Sequence, residues 1–148
     1  MEKSNFCSRI EKRIRKNIRI NKIFSKGDKI YVKDKLSKYF IDKIIGTMPK
    51  TFVTNPKKAT KVIIKYTLDD ECNDFLEHFM FGQKRKSVKG IKLLKSITDK
   101  EALLFAKYNN IKFTTNKKDK KVTDILDELE RSYPQTRFSL LKSIESLK

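Results

Sequence analysis

The residue types that perform acid–base, metal or nucleophilic chemistry are few and widely spaced in this chain. Cys7 and Cys72 are the two cysteines among 148 residues, and His78 is the single histidine. A structural zinc site needs four ligands, and an iron–sulfur cluster needs three or four thiolates. We therefore expect no metal, no bound cofactor and no catalytic residue, and we expect both thiols to be free in a reducing cytosol.

The run Asp69-Asp70-Glu71 is a further group of chemically versatile side chains. Three neighbouring acids could hold a metal ion or mark a nucleotide site. Acids in the first turn of a helix, however, satisfy free backbone N–H groups and complement the helix dipole. Thr67 and Asp70 also have the spacing of a capping box, so we favour the capping interpretation.

Net charge is the dominant signal in the composition. The chain has 36 Lys and Arg against 18 Asp and Glu, which gives a formal charge of +18. Such a charge attracts polyanions and accelerates their association. Nucleic acid, an anionic membrane, an acidic protein partner and a solvated lysine surface are all compatible with it. We favour nucleic acid because solvation alone seldom requires so large an excess.

Two basic segments are the predicted nucleic-acid contacts. Residues 4–24 have apolar positions at helical spacing, with cations on the other side of the same helix. The predicted nucleic-acid-binding residues are Arg9, Lys12, Arg13, Arg15, Lys16, Arg19 and Lys22 in this helix, and Lys84, Arg85 and Lys86 in a later loop. The alternative for both segments is a solvated charged face. A third run, the loop at 116–121, is a weaker candidate because Asp119 interrupts its lysines.

The apolar pattern predicts an α/β fold that positions these segments. Short β-branched and aromatic runs predict strands at residues 29–32, 51–54 and 61–66. Helices are predicted at 35–45 after the cap Asp34, from Thr67 to Gly82, from Thr98, from Thr123, and from Ser132 with Pro134 in its first turn. The phenylalanines at helical spacing, Phe75, Phe79 and Phe138, are predicted to be core. Alternating strands and helices indicate a parallel sheet covered by helices.

The organisation we predict is a single domain over residues 1–148. It comprises a basic N-terminal helix at 1–26, an α/β core at 27–113 and a C-terminal helical pair at 122–148. No apolar run approaches the about 20 residues of a membrane span. The N-terminus has no apolar signal region, so we expect a cytoplasmic protein with no membrane partner.

Several segments resemble, in order, the tRNA 2-thiolation enzymes of the ATP-pyrophosphatase (PP-loop) superfamily. Residues 67–71, Thr-Leu-Asp-Asp-Glu, are similar to the Asn-Leu-Asp-Asp-Glu segment of those enzymes. The other similar segments are 6–16 with 27–30, 90–94 through 100–101 and Ala106, and 129–134 with 136–139. The resemblance implies a reduced Rossmann-like parallel sheet of the PP-loop type, three- or four-stranded, with added N- and C-terminal helices.

The chain departs from this family at the positions that carry its chemistry. In the family the first strand leads into Ser-Gly-Gly-Lys-Asp-Ser, whose glycines let backbone N–H groups surround the phosphates of a nucleotide. Residues 33–38 read Lys-Asp-Lys-Leu-Ser-Lys here, so Asp34 lies where phosphate would bind. The family's catalytic and cluster-binding cysteines have no counterpart, since Thr114 and Thr115 follow Phe113. The paired cysteines of its N-terminal zinc module are absent apart from Cys7.

The resemblance and its departures together imply a non-catalytic tRNA-binding protein that serves as an accessory subunit of a tRNA uridine 2-thiolation system. Its partners would be tRNA and a catalytically active paralogous thiolation subunit. Two alternatives stay open. One is a free-standing RNA-binding module repurposed from that family. The other is a nucleotide-binding enzyme whose divergent phosphate loop uses Lys33, Lys35 and Lys38.

Overall fold

A parallel β-sheet of three strands forms the centre of the protein. The computed structural model describes residues 3–82 and 89–146. In this part of the chain β1 (Asp28–Val32) lies between β2 (Lys50–Phe52) and β3 (Lys61–Ile63), and all pairings are parallel. Ile91 adds one parallel bridge to Ile63, at the free edge of β3.

Six helices in the described residues accompany the sheet. They are α1 (Lys3–Ile20), α2 (Lys35–Ile44), α3 (Leu68–Phe81), α4 (Asp99–Tyr108), α5 (Lys120–Ser132) and α6 (Thr136–Ser146). A single 3-10 turn, Pro56–Lys58, precedes β3. The predicted fold class, a parallel α/β sheet with helices added at both ends, is confirmed.

Capping side chains set the starts of the central helices where the sequence predicted them. The carboxylate of Asp34 accepts a hydrogen bond from the Ser37 N–H at 2.8 Å, which starts α2. Reciprocal capping boxes start α3, through Thr67, and α4, through Thr98. Gly82 ends α3 with a left-handed φ of 67°. These boundaries are predictable because each cap is a contact between residues close in sequence.

Other boundaries differ from the prediction. The helix predicted over 4–24 ends at Ile20, because Lys22 adopts a left-handed φ of 47° and the Ile23 N–H bonds to the Ile18 carbonyl at 3.1 Å. This terminating turn returns Ile23 to the core. β3 ends at Ile63 rather than residue 66, and the chain then turns into α3.

The C-terminal helical pair also starts elsewhere than predicted. Asp119 caps α5 by accepting hydrogen bonds from the backbone of Lys121 and Val122, so the helix begins before Thr123. Ser132 belongs to α5 and is not the cap of the last helix. That helix, α6, begins at Thr136, and Pro134 lies in the turn before it.

The main hydrophobic core lies between the sheet and helices α1, α2 and α4. Ile10, Ile14, Ile30, Phe40 and Phe105 are inaccessible to solvent. Full burial of one such side chain is favourable by about 1.5–3 kcal/mol. Because Ile10 and Ile14 must face this core, the rotation of α1 about its axis is fixed.

A smaller cluster joins α3 to the C-terminal helices. It contains Leu68, Cys72, Val122 and Leu126. The burial of α3 is confined to its first turns, and Phe79, which helical spacing predicts to be core, is 75% exposed. The prediction for Phe79 is wrong because α5 and α6 cover the beginning of α3 rather than its whole length.

No helix within residues 3–82 and 89–146 combines the length and the apolar character needed to cross a membrane.

Candidate nucleic-acid interface

Helix α1 presents an exposed basic face. Its buried positions, Phe6, Ile10, Ile14 and Ile18, are spaced at helical intervals and turn toward α2 and α4. The predicted binding residues that are exposed along the rest of this helix are Arg9, Lys12, Arg15, Lys16 and Arg19. The structure therefore brings most of the predicted helical contacts together on one accessible surface, as a helix with a fixed apolar stripe requires.

Two predicted contacts on this segment are placed differently. Arg13 directs its Nη1 to both carboxylate oxygens of Glu101 at 2.8 Å, and its guanidinium carbon lies 5.3 Å from the centre of the Phe138 ring. Arg13 thus connects α1 to α4 and α6 in addition to being partly exposed. Lys22 is exposed but lies beyond the end of α1, in the left-handed turn. The predicted loop contacts Lys84, Arg85 and Lys86 lie outside the described residues.

A groove of about 690 Å³ lies between α1 and α6. Arg9 and Lys16 line it from α1, and Lys95 and Lys142 line it from the rest of the chain. Sequence reasoning missed Lys95 and Lys142 as contacts because neither belongs to a conspicuous basic run. The tertiary fold adds them to the cationic surface, because it places Lys142 of α6 and Lys95 of the segment before α4 opposite α1.

A second cavity, of about 560 Å³, opens at the carboxyl ends of β1 and β3. In open parallel sheets this edge, where consecutive connections leave in opposite directions, is the usual place for a ligand. Four lysines line the cavity, Lys33, Lys35, Lys65 and Lys112. Lys38, the third lysine of the proposed divergent phosphate loop, instead pairs with Asp42 at 3.2 Å and lies over the Phe52 ring.

The beginning of α2 beside this cavity already carries a negative charge. Asp34 lines the cavity, and one of its carboxylate oxygens accepts the Ser37 N–H. Its other oxygen, Oδ1, is buried and has no hydrogen-bond partner among the residues that the structure describes. A nucleotide phosphate at this helix end would compete with Asp34 for the N–H group and would be repelled by its charge.

The acidic run at the start of α3 is buried in a network of ion pairs. Lys118 bridges two carboxylates, at 3.0 Å from Asp70 and 2.6 Å from Asp99. Lys92 pairs with Glu71 at 2.6 Å. The loop lysines at 116–121 were a weak candidate for nucleic-acid contact, and the half-buried Lys118 is instead engaged in these ion pairs.

Arg137 completes this network from α6. Its guanidinium contacts Asp69 of α3 and also Asp127 and Glu130 of α5. The Arg137 side chain is 8% exposed and that of Asp69 is 11% exposed, so this pair is shielded from solvent and from salt, whereas Asp127 is 42% exposed. The preference for a capping role of the acidic run is consistent with these contacts, which use the carboxylates of Asp69, Asp70 and Glu71 inside the protein.

The network changes the proton affinities of its members. Burial raises the pKa of Asp99, although hydrogen bonds from Lys118 and Thr67 act in the opposite direction. Burial disfavours the charged form of Lys118, but hydrogen bonds to Asp99 and Asp70 outweigh it, and the pKa of Lys118 is raised. Burial, reinforced by the Asp69 carboxylate, raises the pKa of Cys72 to about 12. Cys72 is therefore a protonated thiol at neutral pH, a form that is a poor nucleophile.

The cysteines do not fit an iron–sulfur cluster. Cys7 lies at the edge of the main core near Asn109, whereas Cys72 is buried in the smaller cluster between α3 and α6. Both are free, and two thiols in separate clusters are too few for such a centre. In the part of the chain that the structure describes, no three His, Cys, Asp or Glu side chains are arranged to hold a metal ion.

The sheet order, the helix arrangement and the cavity at the strand ends define a Rossmann-like α/β fold. A solved structure with this fold is the U34-tRNA thiolase NcsA from Methanococcus maripaludis with its 4Fe–4S cluster. The similarity has a TM-score of 0.70 at 15% sequence identity and covers 96% of this chain and 78% of the thiolase. No family model matches the sequence, and no curated protein matches it. The resemblance stated from the sequence is thus confirmed at the level of the fold.

The ion-pair network predicts a pH-dependent stability defect. Lys118→Met removes the cation from the buried carboxylate of Asp70 and the half-buried carboxylate of Asp99, and we expect the free energy of unfolding at pH 7 to fall by about 3 kcal/mol. Without Lys118 the pKa of folded Asp99 rises further above its unfolded value. The folded variant then takes up a proton at higher pH than its unfolded state, so its deficit relative to wild type shrinks as the pH falls toward 4.

Urea denaturation of both proteins at pH 7 and pH 4 measures this effect. Lys120→Met is the matched control, because Lys120 is exposed two residues away, and its effect should stay within about 0.5 kcal/mol. An equal deficit for Lys118→Met at both pH values would contradict the assigned role.

Proposed function

We propose that this chain binds tRNA through the basic face of α1 and supports a tRNA uridine 2-thiolation system without performing the chemistry itself. A catalytically active paralogous subunit would supply the activation of the nucleotide and the transfer of sulfur. The observation that carries the proposal is the combination of a thiolase fold with an exposed cationic helix.

Charge and placement support the RNA-binding part of this proposal. The chain carries a formal charge of +18, and the ion pairs described above involve only some of its lysines and arginines. Lys12, Arg15 and Arg19 are exposed on α1, at the three- and four-residue intervals that place side chains on one face of a helix. A rigid helix that presents several cations in a row can follow a phosphate backbone.

The non-catalytic part of the proposal is supported by side chains of the protein that occupy the positions where a bound ligand or a reactive thiolate would act. The carboxylate of Asp34 fills the beginning of α2, where a phosphate would otherwise accept backbone N–H groups. Lys118 and Arg137 neutralise the acidic run at the start of α3. Cys72, the buried cysteine, is held as a thiol.

One observation favours a second candidate function, nucleotide binding. The cavity at the strand ends has room for a small ligand and is lined by Lys33, Lys35, Lys65 and Lys112. Its lysines could attract an anion even though the start of α2 is occupied. A ligand present at about 100 times its Kd would stabilise the fold by about 2.7 kcal/mol. For a chain of this size that corresponds to a rise in Tm of about 5 °C or more.

We expect ATP with Mg²⁺ to leave the Tm unchanged, because the Asp34 carboxylate repels the phosphates. Differential scanning fluorimetry at millimolar ATP measures this, with Mg²⁺ alone as the control. A rise of several degrees that disappears in Lys65→Ala/Lys112→Ala would replace the present proposal with the nucleotide-binding function.

The basic face of α1 predicts salt-dependent tRNA binding. Arg15→Glu/Arg19→Glu should weaken binding of labelled tRNA at least about tenfold at low salt and reduce the slope of log K against log salt by about two. Fluorescence anisotropy at a series of salt concentrations gives both quantities.

The matched control for this variant is Lys57→Glu/Lys120→Glu, which makes the same change in net charge at exposed positions away from α1. Equal weakening by the two double variants would show that binding depends on overall charge rather than on α1. Wild-type protein that fails to bind tRNA would overturn the RNA-binding function.

The accessory role predicts a loss of 2-thiouridine from total tRNA when the gene is deleted. Mass spectrometry of tRNA nucleosides measures the modification. Wild-type protein and Lys57→Glu/Lys120→Glu should restore it, whereas Arg15→Glu/Arg19→Glu should not. Unchanged 2-thiouridine after deletion would remove the accessory role and leave a free-standing RNA-binding protein as the better account.

A further inference from the structure

The groove between α1 and α6 differs in chemistry from the outward basic face of α1. It is lined by cations and also by apolar groups, Ile20 and Phe138. Its volume of about 690 Å³ lies within the range of sites that hold a nucleotide-sized ligand. A surface that only attracted phosphates would not need an apolar component.

The acids along this groove are already used. Glu101 is held by Arg13 at 2.8 Å, and Glu145 pairs with Lys95 at 3.5 Å. Lys16 and Lys142 are both exposed and make no ion pair within residues 3–82 and 89–146. The groove therefore retains positive charge at its two helical walls, available for phosphate groups.

Arg13 lies in the same groove in a fixed orientation. Glu101 holds one end of its guanidinium, and the Phe138 ring lies against it at 5.3 Å. The side chain nevertheless remains 29% exposed. A planar guanidinium held this way can stack on a nucleic-acid base, because arginine combines a flat, weakly hydrated surface with a positive charge.

We propose that the α1–α6 groove binds a single-stranded segment of RNA, with Arg13 as a base-stacking platform on Phe138 and with Lys16 and Lys142 as phosphate contacts. This inference rests on the proposed tRNA-binding function and assigns it a second surface. Single-stranded RNA fits better than duplex RNA because the faces of paired bases are covered by their neighbours and cannot reach a platform.

The charge-conserving variant Arg13→Lys separates stacking from phosphate contact. It keeps the positive charge beside Glu101 but removes the planar group. We expect binding of a labelled 12-nucleotide single-stranded RNA to weaken about fivefold or more, because stacking of one base contributes substantially to affinity. Arg19→Lys, on the outward face of the same helix, is the matched control and should leave affinity within about twofold.

A blunt RNA duplex of the same number of phosphates is the second probe. We expect it to bind more weakly than the single strand and to be indifferent to Arg13→Lys. Equal effects of Arg13→Lys and Arg19→Lys on the single strand, or duplex binding as tight as single-strand binding, would overturn the stacking platform. Thermal melting of each variant confirms that affinity is compared between folded proteins.

A surface variant tests the groove without touching Arg13. Lys16→Glu/Lys142→Glu should weaken single-strand binding at least about tenfold more than Lys57→Glu/Lys120→Glu, which has the same net charge. The groove proposal would be overturned if Lys16→Glu/Lys142→Glu and Arg13→Lys both left tRNA binding unchanged. If Arg15→Glu/Arg19→Glu still weakened tRNA binding in that case, the proposed function would stand. Absence of any tRNA binding by the wild-type protein would overturn both.

Discussion

The ion pairs at the start of α3 connect this helix to α6 and to the loop before α5. Asp70 completes the capping box of α3 and pairs with Lys118 from the loop before α5. Asp69 accepts the backbone N–H of Asp99 at the start of α4 and contacts Arg137 of α6. Breaking such a pair by removing one partner leaves an uncompensated charge in a poorly solvated site. The position of α6, and with it one wall of the groove beside α1, therefore depends on Arg137 as much as on the small apolar cluster beneath it.

These ion pairs also limit which ligands the acidic run Asp69-Asp70-Glu71 can bind. Carboxylates that a metal ion or a nucleotide would need are engaged by cations of the chain itself. At the carboxyl ends of the strands, the Asp34 carboxylate likewise accepts the backbone N–H group that a phosphate would otherwise bind. In both places a side chain of the protein occupies the position that a ligand would need, and this supports the non-catalytic role that we propose.

The cationic surface has two parts with different physical properties. The outward face of α1 carries mobile, exposed charges whose attraction for phosphate weakens as salt is added. The groove beside α6 adds an arginine fixed between a carboxylate and an aromatic ring. Fixed planar groups discriminate between forms of RNA, whereas mobile charges mainly provide affinity. In the RNA interface that we propose, α1 would contribute to both properties.

The features of the fold that depend on local contacts could be predicted from the sequence alone. The caps Asp34, Thr67 and Thr98, the stop at Gly82 and the inward face of α1 follow from contacts within a few residues, and the alternation of strands and helices predicted the parallel sheet. The left-handed turn at Lys22 and the early start of α5 escaped prediction, because lysine rarely adopts that backbone and Asp119 was read as part of a loop.

Only the tertiary structure decided which charges stay free. Arg13, Lys118 and Arg137 look like ordinary surface cations in the sequence. Arg13 nevertheless pairs with Glu101, 88 residues away, and Lys118 and Arg137 pair with carboxylates of α3 that are also distant in sequence. Lys16 and Lys142 line the same groove only because the fold places α6 opposite α1. The physical reason is that a charge is neutralised by whatever the fold brings within a few ångströms, and sequence patterns report only neighbours along the chain.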